Sequence, residues 1–190
     1  AELSNTYRVM VLTNNAAPAE MMPRSIHAAE RAAELDPNLS DAWTSLASCE
    51  FWYKWDWTAS EEHFRRALSQ APENAGARAL YAHLLSNTGR HEEAVAEIKR
   101  ARDLDPTNLL ISSIEGQILS FAGRDDDSMQ KLQGVVDLHP DFWLAHLFLS
   151  RTYVNKGLWA EGSAAAVEAK EITNGNIEAV AVSAYISAKT

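Results

Sequence analysis

A single cysteine, Cys49, stands in 190 residues, so no disulfide can form within the chain. Nowhere do 18 apolar residues run together, and neither a membrane-spanning helix nor a secretory leader is expected. Positive charge is scarce. Residues 1–72 carry 6 Lys and Arg against 10 Asp and Glu, and residues 73–190 carry 11 against 16, which together make the net charge of −9. Neither half has the basic footprint that nucleic-acid binding needs, so no nucleic acid is expected through this segment. Catalytic signatures are missing as well: there is no G-x-x-x-x-G-K-[ST], no G-x-S-x-G and no paired Cys and His. His91-Glu92-Glu93-Ala94-Val95 lacks the second His of a zinc-protease motif and reads as a helix start. Asp125-Asp126-Asp127 lacks the spaced ligands and closing Glu of a calcium loop; carboxylates there suit a helix N-terminus. The six His residues are scattered without ligand spacing. The expectation is a chain with no catalytic residue, no metal and no cofactor.

What is present is a period. Pro37, Pro72, Pro106 and Pro140 recur at 35, 34 and 34 residues, and Gly89, Gly123 and Gly157 recur at 34, each 17 residues past a proline. Between Gly89 and Pro106 the residues Ala94, Val95, Ile98, Ala101 and Leu104 fall at three- and four-residue steps and make one apolar helical stripe. Glu92 and Glu93 occupy its first turn, and Lys99, Arg100 and Arg102 lie towards its end, the order the helix dipole favours. A second short helix fits between each proline and the next glycine.

Phased residues recur with the period: Trp43, Leu46, Ala47, Phe64, Ala67 and Pro72 in one unit, Ala82, Gly89, Ala94, Ile98, Ala101 and Pro106 in the next. Gly116, Leu119, Gly123, Ser128, Leu132, Val135 and Pro140 follow more loosely, then Leu149, Tyr153, Gly157, Gly162, Ala166 and Ala169, with Asn174 where a proline would fall. This pattern resembles the tetratricopeptide repeat (TPR). The resemblance implies an all-α, right-handed superhelical solenoid of antiparallel helix pairs, with about eleven helices. One array is expected over 1–190: a degenerate leading unit at 1–37, repeats at 38–72, 73–106, 107–140 and 141–174, and a final A-type helix at 175–190 that reads as the start of a truncated repeat in an excised piece of a longer protein. Helices are expected at 1–13, from Pro18 or Pro23 to Leu35, 40–53, to Gln70, and then at 74–87, 91–104, 108–121, 125–138, 142–155, 159–171 and 176–188. Residues 14–18 read as a turn, Thr58 with Glu61 as a capping box, and 51–57 as the site of a one-residue insertion. In the third repeat Ser112 and Glu115 replace large A-helix residues, which marks it as a locally weak point.

Stacked repeats leave a concave face lined by the A helices, and function is expected there. Counting from each marker proline, that face carries Thr44, Ser48, Phe51 and Trp52, then Ala79, His83, Ser86 and Asn87, then Ser113, Gln117, Ser120 and Phe121, then Leu147, Arg151, Val154 and Asn155. The groove proposed to bind a partner is Thr44, Ser48, Phe51, Trp52, His83, Asn87, Gln117, Phe121, Arg151 and Asn155. Amides there can bond a peptide backbone while aromatics pack its apolar groups. Thr44, Ala79, Ser113 and Leu147 stand where TPR domains that clamp chaperone C-terminal carboxylates carry Lys or Asn, so that clamp is not expected. Trp57 reads as packing at the start of a B helix, and Trp52 and Trp55 as either packing or an interface patch.

The stretch Trp55-Asp56-Trp57-Thr58-Ala59-Ser60-Glu61-Glu62-His63-Phe64-Arg65-Arg66-Ala67-Leu68, with Gly89-Arg90-His91-Glu92-Glu93-Ala94 and Glu97-Ile98, resembles the C-terminal TPR arrays of bacterial multidomain regulators. Those chains carry a winged-helix, cyclase or Ser/Thr kinase domain before the array. The resemblance implies a cytoplasmic scaffold that binds a peptide, a protein or another domain of its own chain. Two alternatives stand beside it: a sensor domain for a small effector, and a homodimer formed through the terminal helices.

Overall fold

The computed structural model describes residues 1–13 and 16–190. Among these residues eleven α-helices follow one another: α1 (Glu2–Leu12), α2 (Pro18–Leu35), α3 (Ser40–Cys49), α4 (Trp57–Gln70), α5 (Ala75–Asn87), α6 (His91–Leu104), α7 (Leu109–Phe121), α8 (Asp125–Leu138), α9 (Trp143–Asn155), α10 (Trp159–Ile172) and α11 (Ile177–Ser187). They form an all-α solenoid in which each helix packs on its chain neighbours, and the odd-numbered helices from α3 onward also pack on one another. Among the described residues there is no strand. Part of the turn expected at 14–18 lies outside the described residues.

The periodic glycines end the odd helices. Gly89, Gly123 and Gly157 take φ of 81°, 75° and 76°, the left-handed conformation that costs glycine least. The amide after each closes a bond to a carbonyl one turn back: Arg90 to Leu85 at 2.9 Å, Arg124 to Leu119 at 2.8 Å and Leu158 to Tyr153 at 2.9 Å. Small residues let the helices of a pair approach. Ala47, Ala67, Ala82, Ala94, Ala101, Ala166 and Ala169 are fully buried, and Phe64, Ile98 and Leu132 fill the space between them. Buried hydroxyls find partners across the same contacts: Ser60 donates to the Ala47 carbonyl at 2.8 Å and Ser150 to that of Gly162 at 2.6 Å. Ser25 bonds the Ser4 carbonyl at 2.8 Å and lies 3.3 Å from Cys49 Sγ.

Three expectations are corrected. The helix expected over 40–53 divides: α3 ends at Cys49, and Glu50–Lys54 form a π-helical turn that absorbs the extra residue of the 35-residue period. The chain leaves that turn through Trp55 at φ 59°. The cap of α4 is Asp56, whose carboxylate accepts from Ala59 N at 3.0 Å. The capping box of Thr58 and Glu61 does not form, because Glu61 is drawn sideways to Arg65, Tyr81 and Arg90. Burial raises the Glu61 pKa, but the Arg90 and Tyr81 hydrogen bonds and the charges of Arg90 and Arg65 outweigh it and hold the group ionised. Trp57, expected to pack, is 43% exposed, since the π-turn carries the start of α4 outward. At α2 the two prolines separate in role: Pro18 opens the helix, where its missing amide is harmless, and Pro23 lies within it.

The two ends of the solenoid meet. Asn176, which caps α11 by accepting from Glu178 N at 2.9 Å, also donates from Nδ2 to the Leu12 carbonyl at 2.7 Å. The coil thus brings the last turn of its first helix onto the first turn of its last.

Candidate functional site

The inner face is built from the odd-numbered helices. Trp52 projects from the π-turn with part of its ring exposed, supported from below by buried Phe51 at 4.9 Å between ring centroids. The His83 imidazole of α5 stands 5.8 Å from Trp52 and edge-on to Phe51 at 5.5 Å. Arg8 of α1 also approaches Trp52, its guanidinium carbon 5.9 Å from the ring centroid. Arg8 Nη2 donates to Asn5 at 2.7 Å, yet Nε is buried without a partner. Among the described residues no carboxylate pairs with Arg8, and burial lowers its pKa.

Gln117 of α7 is 7% exposed, and its Oε1 is buried with no partner. His83 Nδ1 is in the same condition. Burial foremost, then the charge of Arg151, push the His83 pKa down to about 4 against the opposing influence of Gln117, so the ring is neutral at pH 7. Arg151 of α9 points along the same face and reaches Glu178 of α11 at 3.3 Å. Arg151, Asn155, Glu178 and Tyr185 line an open cleft of about 490 Å³ between α9 and α11.

The remaining expected groove residues take varied places. Phe121 is exposed at the end of α7. Asn155 donates to Ser120 at 3.1 Å and ties α9 to α7, and Asn87 donates to its own helix at the His83 carbonyl, 2.8 Å. Thr44 and Ser48 spend their hydroxyls within α3, on the carbonyls of Ser40 at 3.0 Å and Thr44 at 2.7 Å, and Ser48 is fully buried. Arg8, Glu178 and Tyr185 escaped the count from marker prolines because α1 has no proline before it and α11 follows Asn174. The available signal was an arginine beside the apolar stripe of the leading helix with no acidic residue three or four places away.

A larger cleft, about 830 Å³, lies on the outer side between α6 and α8, floored by α7. Glu115 sits in it at the position occupied by Leu46, Tyr81 and Leu149 in the other helix pairs, and is only 7% exposed. Arg102 bridges to its Oε1 and Lys131 stands 3.1 Å from its Oε2. The weak point expected at Ser112 and Glu115 is thus a compensated charge with open space beside it. Among the described residues no three His, Cys, Asp or Glu side chains converge as a metal site, and no helix is long and apolar enough to cross a membrane.

Residues 56–118 match the family model described as tetratricopeptide repeat. Over 105 residues the chain is 30% identical to the E3 ubiquitin-protein ligase CHIP of Arabidopsis thaliana, an alignment covering 53% of this chain and 37% of that protein. The chain therefore spans little more than a third of that relative. Among solved structures it is similar to a thermophilic TPR protein of Thermus thermophilus, with a TM-score of 0.79 and 16% identity over 97% of this chain and 99% of the other. It is also similar to YrrB, described as a TPR protein with an unusual peptide-binding site, with a TM-score of 0.57 and 18% identity over 94% and 89%. At these identities the likeness to the solved structures is one of fold.

Proposed function

We propose that this solenoid, which carries tetratricopeptide repeats over residues 56–118, is a non-catalytic scaffold that holds an extended segment of a partner protein, or of its own longer chain, against the inner face. The observation that carries the reading is the row of unmet polar groups there: Arg8 Nε, His83 Nδ1 and Gln117 Oε1 are buried without partners. A buried donor or acceptor left unpaired costs on the order of 1–3 kcal/mol, so each of these side chains gains by turning outward to pair with an amide or carbonyl of a bound peptide. Trp52 and Phe121 are part-exposed and would offer packing surface for its apolar side chains. Arg8, which has no carboxylate partner among the described residues, suits a carboxylate of that segment. The similarity to a peptide-binding TPR protein supports the same reading.

Affinity capture from native extract, read by mass spectrometry, tests it. A partner held by the wild type and lost with Gln117→Ala/Phe121→Ala/Arg151→Ala, at unchanged helicity, is the expected result; equal capture by both proteins removes the site from the inner face. Ile177 and Tyr185 are exposed on α11 and favour a second reading, a homodimer through the terminal helices. Light scattering across concentration decides it, and a strictly monomeric chain dismisses it.

A further inference from the structure

The outer cleft exists because two positions of the third helix pair are small, and the other pairs show what belongs there. Six residues after each marker proline, a side chain turns back to that proline's carbonyl. Trp43 Nε1 donates to Pro37 at 2.9 Å, Arg78 Nε to Pro72 at 2.9 Å and His146 Nε2 to Pro140 at 2.9 Å. Ser112 holds the equivalent place after Pro106 and is too short to reach, and among the described residues the Pro106 carbonyl accepts no hydrogen bond. In the first pair a second side chain covers the socket: Arg66 lies 3.6 Å over the Trp43 ring. Its equivalent, six residues before Pro140, is Gly134, where an added Cβ would meet nothing within 4 Å. Ser112, Gly134 and Pro106 all line the 830 Å³ cleft.

We propose that this cleft receives the indole of a tryptophan carried on a segment of a partner protein, seated as Trp43 is seated in its own helix pair. The repeat supplies the template: a flat ring against the helix pair, its N–H on the proline carbonyl, a cation over its face. Charge selects among the three side chains that fill the site elsewhere. Lys99, Arg102, Arg124 and Lys131 line the cleft with Glu115 and Asp127, and Asp103 pairs with Lys99 at 2.8 Å, which leaves four cations against three carboxylates. A guanidinium or imidazolium meets net repulsion there, whereas a neutral indole presents a π-face that cations favour. Apolar Val95, Leu119 and Val135 complete the walls. The chain's own Trp55 is 72% exposed, so a second copy is the competing occupant that the test separates from a partner protein. The site stands apart from the inner face, so it holds whether or not the peptide groove does.

The test is a titration of the ¹⁵N-labelled chain with N-acetyl-tryptophanamide, following the amides of Ser112, Gly134 and Lys131. Saturable shifts at these three are expected, with roughly tenfold weaker binding of N-acetyl-phenylalaninamide, whose ring has no N–H to donate to the Pro106 carbonyl. Ser112→Trp/Gly134→Arg rebuilds the Trp43–Arg66 pair within the chain and is expected to abolish the shifts while raising the midpoint of thermal unfolding. Gly134→Arg alone, which only covers the open face, serves should the double variant fail to fold. Absence of saturable shifts, or shifts that persist in the filled variant, overturns the proposal. Concentration-dependent sedimentation that vanishes in Trp55→Ala overturns the assignment to another protein and places a second copy in the cleft.

Discussion

At the scale of single residues, the inner face stores its chemistry in groups kept from water without the partners water would supply. His83 is the one with a readable signature. Its pKa of about 4 in the fold lies below the ordinary 6.5, for reasons of burial first and the Arg151 charge second. The unfolded chain therefore binds the proton between pH 6.5 and 4 while the native chain does not. Stability from this group is complete above pH 6.5, falls as pH drops through that window, and levels off below about 4; it amounts to at most on the order of 3 kcal/mol. The difference in urea midpoint between wild type and His83→Gln should narrow or reverse as pH falls from 7 to 4, and a difference independent of pH refutes the assignment. A ligand carboxylate beside His83 would raise its pKa, which an imidazole NMR titration with and without bound peptide reads directly. Cys49 is the opposite kind of group. Burial raises its pKa despite the Ser25 hydrogen bond and the Arg8 charge, so its thiol is expected to label only when the chain unfolds; native-state labelling at the rate of a free thiol would contradict the packing of Ser4, Ser25 and Cys49.

At the scale of elements, the glycines divide by mechanism. Gly89, Gly123 and Gly157 need φ near +80° but have nothing within 4 Å of an added Cβ, so alanine at each should cost about 1 kcal/mol of backbone strain and no more. Gly116 has ordinary helical geometry, but a Cβ there lies 2.6 Å from Leu132 Cδ2; Gly116→Ala should cost about 1–3 kcal/mol by overpacking. Chemical denaturation of the four variants tests the ranking, and a Gly89→Ala loss equal to that of Gly116→Ala would break it. The turn glycines and the prolines are why the helices were legible in sequence: both residue types act locally, through the dihedrals and hydrogen bonds of their own backbone, and the observed helix ends fall within a few residues of those expected. The π-turn at 50–54 was legible only as an extra residue. Whether an insertion loops out or is wound into the helix depends on packing around Phe51 and Trp52, which no local pattern reports. The cap of α4 was misplaced for a similar reason, since Glu61 had a tertiary alternative in Arg90 and Tyr81. Ser112 and Glu115 were visible as departures from the period, but that their neighbours Gly134 and Lys131 turn the departure into a cleft follows only from the packing of α8 on α7.

At the scale of the whole molecule, the decisive contact joins residues 164 positions apart, Asn176 and Leu12, and nothing in the period announces it. Small rotations between successive helix pairs accumulate, and only their sum decides whether the ends pass or touch. Asn176→Asp keeps an oxygen to cap α11 but removes the donor to the Leu12 carbonyl. The expected outcome is faster amide hydrogen exchange in α1 with α11 unchanged, at a cost of about 1 kcal/mol; equal acceleration in both helices would mean that the cap, not the closure, was lost. The closure also changes how the molecule answers force. An open superhelix stretches like a spring, every repeat yielding a little. Here a pull between the outermost helices loads the Asn176–Leu12 contact first, and the repeats share the strain only after it gives way. The chain should behave as a latch in parallel with a spring, stiff to a threshold and compliant beyond it.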